Sequence, residues 1–288
     1  MSRFENSIAL AKSSLQVLRD DKQLTLLPLL SLVATLVVAF AVLLPVGLIA
    51  RDGSGGYSGS KPVVWILGFI GVVALSYVGI FFNAALVYAA NRRFQGLGVD
   101  IREAIHAASE RSHVLLPWAI ISATVSVVLR AIEQRGGILG RIIGSIAGVA
   151  WSVVTFLVLP VLMFEGIGPI AAAKRSGELF KRTWGENLMT NAGVGIAGML
   201  ALLAGALPLL LMLAVGGPIA VVGIAAFTLW ALTIMVLSGT VTGIFQVALY
   251  RFATGAPVPG FDARRLQGSF RPRRQGRTRG FFGGESPE

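Results

Sequence analysis

Charged residues interrupt this chain only at intervals, and the uncharged stretches between them run from Leu24 to Ala50, Pro62 to Ala90, Val114 to Leu129, Ile142 to Phe164 and Leu188 to Tyr250. A hydrocarbon core of about 30 Å needs about 20 apolar residues in a helix rising about 1.5 Å per residue. The first, second and fourth stretches each suffice for one crossing. The third is short, but it follows a helical-looking segment and ends at Arg130, whose long side chain can reach the headgroups, so it is read as a crossing as well. The fifth is long enough for two. Gly216-Gly217-Pro218 supplies its bend, because glycine permits the turn and proline starts a helix rather than continuing one. The pattern predicts six membrane spans, at about 24–50, 62–90, 114–132, 142–164, 188–215 and 218–250. An in-plane third segment is the alternative, with five crossings and termini on opposite sides.

Between the spans the period changes. In 169–184, Lys174, Arg175, Glu178, Lys181 and Arg182 gather on one arc of a helix while Ile170, Ala173, Phe180 and Trp184 gather on the other. Lys12, Ser13, Gln16 and Arg19 form the matching arc in 4–19, and 100–113 shows a weaker version, with Ile101, Ile105 and Ala108 opposite Arg102, Glu103, His106 and Glu110. These three segments predict amphipathic helices lying in the membrane interface. Ile8-Ala-Leu-Ala-Lys-Ser-Ser14 aligns with Ile170-Ala-Ala-Ala-Lys-Arg-Ser176, and Phe82-Asn-Ala-Ala-Leu86 with Phe245-Gln-Val-Ala-Leu249 at nearly the same offset. The expected fold is an all-α polytopic membrane bundle of six transmembrane helices with cytoplasmic amphipathic helices, built from parallel internal repeats of one interfacial helix plus two spans.

Composition agrees with a lipid solvent: 55% hydrophobic residues, 14% charged and a mean hydropathy of +0.75 leave too little polar material to cover a soluble surface. The charge that remains is sorted. Under six crossings, all but five of the 25 Lys and Arg residues fall on one side, which places both termini in the cytoplasm of a cell (inner) membrane protein. The first apolar run is also too long for the core of a cleavable signal peptide. Residues 1–255 are read as the transmembrane domain and 256–288 as a basic cytoplasmic tail, expected to be disordered from its Arg, Gly, Pro and Ser content.

Chemistry is sparse. Without cysteine, and with two histidines, thiol nucleophiles, thiolate metal sites and multi-histidine centres are excluded. Glu103, His106, Glu110 and His113 share one helical stripe that could face a divalent ion, but a solvated polar face explains them better. The five uncharged stretches carry no acidic or basic side chain to mark a pump. Asn83 and Gln246 stand at matching places in the second and sixth spans, with Tyr77, Asn191 and scattered Ser and Thr as the other polar groups; they either line a polar pathway or hydrogen-bond between helices. Prolines 45, 160 and 208 are candidate helix breaks. Lys12, Arg19, Lys174, Arg175, Lys181 and Arg182, with Arg264, Arg265, Arg271, Arg273 and Arg274 in the tail, are candidate contacts to anionic lipid, each Lys or Arg gaining about 1 kcal/mol near such headgroups. Nucleic acid is not the expected partner of the tail, whose aromatic residues are few.

Phe4-Glu-Asn-Ser-Ile-Ala-Leu-Ala-Lys-Ser-Ser14, Leu26-Leu-Pro28, Leu159-Pro-Val-Leu-Met-Phe-Glu165, Lys174-Arg-Ser176 and Thr183-Trp-Gly185 together resemble a family of six-span bacterial membrane proteins known as a domain of unknown function. The likeness covers about residues 1–255; it implies the topology and carries over no catalytic residue. The sequence therefore favours a non-enzymatic protein without cofactor or metal. Its expected partners are membrane lipids, another membrane protein or a second copy of itself. The alternative is a transporter of small solutes or lipids with its pathway between repeats. A lipid-modifying enzyme would need Glu103, His106, Glu165 and Glu178 to converge.

Overall fold

The computed structural model describes residues 25–50, 62–184, 193–215 and 217–259. The expected amphipathic helix at 4–19, with Lys12 and Arg19, lies outside them, as do Asn191 and the tail arginines. Nine helices and no strand occur among the described residues: α1 (Leu26–Ala50), α2 (Pro62–Phe94), α3 (Ile101–Glu110), α4 (Ser112–Arg135), α5 (Gly137–Thr155), α6 (Val158–Phe164), α7 (Pro169–Trp184), α8 (Gly193–Val215) and α9 (Gly217–Ala253). Five described segments are long and apolar enough to cross a membrane: Leu26–Pro45, Val64–Phe94, Ser112–Arg135, Gly137–Phe164 and Gly217–Ala253. The short third stretch of the sequence is thus part of a 24-residue helix. The stretch expected to cross at 188–215 is described from Gly193 as the 23-residue α8, which holds no charged side chain. The bend before the last span is where the glycines placed it, with Gly217 at φ +58.

The long helices pair as hairpins, α1 with α2, α4 with α5, and α8 with α9. Close approach needs small residues. A Cβ on Gly140 would stand 2.5 Å from the Ile132 carbonyl oxygen, so α4 and α5 meet only because that position is glycine. In the last hairpin Gly205 leaves room for the Trp230 ring, whose Nε1 donates to the Ala201 carbonyl at 3.1 Å. Helix α2 packs against α1, α3, α4, α6 and α9, which makes it the centre of the bundle.

Burial is concentrated at one end. Ala84 to Ala90 of α2, Val114 to Ala119 of α4, α6, Ala172 and Leu179 of α7 and Ile244 to Tyr250 of α9 supply most of the core. The opposite ends of the hairpins leave Phe40, Trp65, Ile138, Leu207 and Leu211 exposed. The buried end is also where the basic connecting segments meet.

Of the three prolines expected to break helices, Pro45 and Pro208 lie inside continuous α1 and α8, whereas the Gly137–Phe164 segment is interrupted between α5 and α6. Pro160 accounts for the break, because a proline cannot donate to the carbonyl four residues back and its ring crowds that carbonyl, here on Phe156. The Leu157 N–H that the break releases donates to Ser176 Oγ of α7 at 3.1 Å. Both residues are fully buried.

Candidate functional site

Helices α3 and α7 are held to the bundle by polar side chains. Asp100 caps α3 by accepting from the Arg102 N–H at 2.8 Å, and Glu103 in the first turn faces the favourable end of the helix dipole. Glu103 then reaches across to α2, accepting from Tyr88 Oη at 2.8 Å and from Arg92 Nη1 at 2.7 Å. A second triad of the same types forms where α6 ends. Glu165 accepts from Arg175 Nε of α7 at 3.2 Å and from Tyr250 Oη of α9 at 3.2 Å. Arg251 beside it is only 8% exposed and donates to Asn91 Oδ1 of α2 at 2.7 Å and to the Pro257 carbonyl at 2.9 Å. Separate parts of the chain are thereby tied together by bonds between side chains 10 to 160 positions apart. Sequence reading had no signal for these partners, since each glutamate draws its tyrosine and arginine from other helices.

The expected stripe at 103–113 is divided between α3 and the start of α4 and between two roles. Glu103 belongs to the Tyr88–Arg92 cluster, while His106 Nδ1 lies 3.6 Å from Glu110 Oε1 on the exposed face and His113 Nδ1 contacts the Glu110 carbonyl. Among the described residues no three His, Asp or Glu side chains gather to hold a metal ion. Glu103 and Glu165 sit in the two different triads, and Glu178 is exposed, 4.0 Å from Arg175. Of the candidate lipid contacts, Lys174 and Lys181 are exposed on α7, whereas Arg175 is engaged by Glu165. Lys181 and Arg182 close the last turn of α7.

The membrane-embedded polar groups are arranged around two hollows. One, of about 240 Å³, lies between α1, α2 and α9 and is bordered by Ser31, Thr35, Asn83 and Met235. The other, of about 340 Å³, lies between α2, α4, the α5–α6 break and α9; Ser76, Ser122, Ser126, Thr155 and Gln246 border it with Trp118. Gly79 of α2 borders both, so Asn83 and Gln246 line neighbouring hollows rather than a common one. A Cβ on Gly243 would stand 2.5 Å from Leu86 Cδ2 and 3.5 Å from Asn83 Oδ1, which shows how tightly α2 and α9 close between them. Neither amide carbonyl has a partner: Asn83 Oδ1 and Gln246 Oε1 are both buried without a donor. Tyr77 behaves differently, its hydroxyl bonding Ser112 Oγ of α4 at 3.0 Å. Most of the scattered hydroxyls face inward to their own helices; those of Thr124, Ser126, Thr155, Thr228 and Thr240 donate to the carbonyl four residues back.

No curated protein and no solved structure matches the chain. The motifs at Phe4–Ser14 and Leu26–Pro28 precede the region covered by the family match, whereas those from Leu159 to Gly185 fall within it. Residues 62–260 match the family of unknown function DUF6159, and by that match over most of its length the chain belongs to that family.

Proposed function

We propose that this is a non-enzymatic multi-pass protein of the cell (inner) membrane, with both termini cytoplasmic, which works by associating with anionic lipid at its inner face. The observation that carries this reading is the uneven packing. One end is a sealed core tied by ion pairs, while the apolar flanks beyond it stay open, from Phe40 at 70% exposed to Leu211 at 71%. Open apolar flanks call for lipid chains or a neighbouring membrane protein, and the exposed Lys174 and Lys181 of α7 stand beside the sealed end, where headgroups would lie. The six-crossing arrangement and the repeated unit of interfacial helix plus hairpin belong to the same proposal; α3 followed by α4–α6, and α7 followed by α8–α9, fit that unit.

Transport is the second reading, and the unpartnered oxygens of Asn83 and Gln246 favour it. It requires the two neighbouring hollows to join, which the close contact of Gly243 with Leu86 opposes.

The test is native extraction into lipid nanodiscs followed by quantification of the retained lipids. Enrichment of anionic species over the bulk membrane is expected, and the double variant Lys174→Glu/Lys181→Glu is expected to lower it. A retained lipid composition equal to the bulk would refute the proposal.

A further inference from the structure

The hollow between α2, α4, the α5–α6 break and α9 has an unusual polarity. No charged side chain borders it, its apolar wall includes Leu75, Ile80, Trp118 and Phe156, and its polar groups are four hydroxyls and the Gln246 amide. The Ser126 and Thr155 hydroxyls give their protons to the Ser122 and Trp151 carbonyls at 2.8 Å, which leaves oxygen lone pairs free. Gln246 is 8% exposed, and its carbonyl oxygen has no donor. A buried acceptor left unpaired is costly, so the site is complementary to a group that brings a proton of its own.

Charge narrows that group. An anion would be desolvated with no cation beside it, and a cation with no carboxylate to offset the loss. A neutral N–H donates but does not accept, whereas an O–H does both and satisfies the Gln246 amide in either of its two orientations. Gln246 lies about two turns before the end of α9 and Ser122 about three turns into α4, so the hollow sits on the order of 10–15 Å inside the helix ends. Leu116, Ile120 and Val127 of α4 are exposed and apolar, which suits an apolar body approaching from the side.

We propose that this hollow binds the hydroxyl group of a neutral molecule, with Gln246 as the principal polar contact. The hydroxyl has two sources, a membrane alcohol such as a monoacylglycerol or a free polyol such as glycerol. The inference goes beyond the lipid reading above and does not depend on anionic headgroups, so loss of anionic enrichment leaves it standing.

The experiment uses the full chain in phosphatidylcholine nanodiscs, which carry no hydroxyl of their own, and a diazirine-bearing hexadecanol as the probe. Its methyl ether is the control. Crosslinks to the peptides containing Ser122 or Gln246 are expected about tenfold more often with the alcohol than with the ether, the ratio set by one hydrogen bond in an apolar surround. Gln246→Met should reduce alcohol labelling to the ether level. Competition by monoacylglycerol alone assigns the membrane source, and competition by glycerol assigns the polyol. Equal labelling by alcohol and ether in the unsubstituted protein, which needs no variant to fold, overturns the proposal, as does labelling confined to other peptides.

Discussion

Ser176→Ala isolates the bond that closes the break between α5 and α6. The hydroxyl is the acceptor of the Leu157 N–H at 3.1 Å, in a place where both residues have no exposed surface. Removing it leaves a peptide N–H without water or an alternative acceptor, a loss of about 1–3 kcal/mol. Interhelical side-chain bonds in membranes average only about 0.6 kcal/mol, because the separated helices find other partners, but a backbone N–H released by a proline has no such substitute within its own helix. The larger range therefore governs, and about 1–3 kcal/mol is expected. Pro160→Ala provides the control. With an N–H at position 160 the segment can continue as helix through Phe156, and the Leu157 N–H can then turn to the Val153 carbonyl. Ser176→Ala should accordingly cost less in the Pro160→Ala background than alone, a coupling of about 1 kcal/mol in a double-mutant cycle. Reversible unfolding in mixed micelles, or the temperature midpoint of tryptophan fluorescence, gives the four values. Equal losses in both backgrounds, or a single-variant loss below about 0.5 kcal/mol, would refute the account of the break.

Three further outcomes are expected. In this cysteine-free chain, single cysteines replacing Tyr57 and Arg135 should be labelled by an impermeant reagent from outside and one replacing Gln275 only from inside; external labelling of the third removes the six-crossing arrangement. Glu165→Gln should weaken the tie among α6, α7 and α9 by about 1 kcal/mol at low salt, with a smaller difference at high salt because the Arg175 side chain is 35% exposed; a salt-independent difference contradicts an ionic contribution. Gly140→Leu should force α4 and α5 apart, since even a Cβ meets the Ile132 carbonyl, and lower the thermal midpoint by the equivalent of about 1–3 kcal/mol, whereas Gly148→Leu, with open space at its Cβ, should leave it unchanged.

What the sequence made readable was governed by local period and by length. The amphipathic segment at 169–184 coincides with α7 because charge and apolarity alternate there with helical spacing, and the short uncharged stretch at 114–129 extended to Ser112–Arg135 because its polar flanks are also helical. Proline alone was a poorer guide. Pro45, Pro160 and Pro208 look alike along the chain, yet a break occurs only where Ser176 of another helix receives the released N–H. The amides Asn83 and Gln246 could be picked out by residue type, but not that both carbonyl oxygens would be left without donors, since that depends on how α2 and α9 meet at Gly243. The Glu103 and Glu165 triads were hidden for the same reason: each draws its tyrosine and arginine from other helices.

The sealed end has a mechanical consequence. The Tyr250–Glu165–Arg175 contact stands near the end of a 37-residue helix, leaving an arm of about 50 Å on the other side of it. A lever of that length converts a pivot of about 5° into a sweep of about 4 Å at its far tip. Lengthening a single ion pair at the fulcrum would thus be amplified into a lateral displacement about as wide as a lipid chain at the far end of the helix.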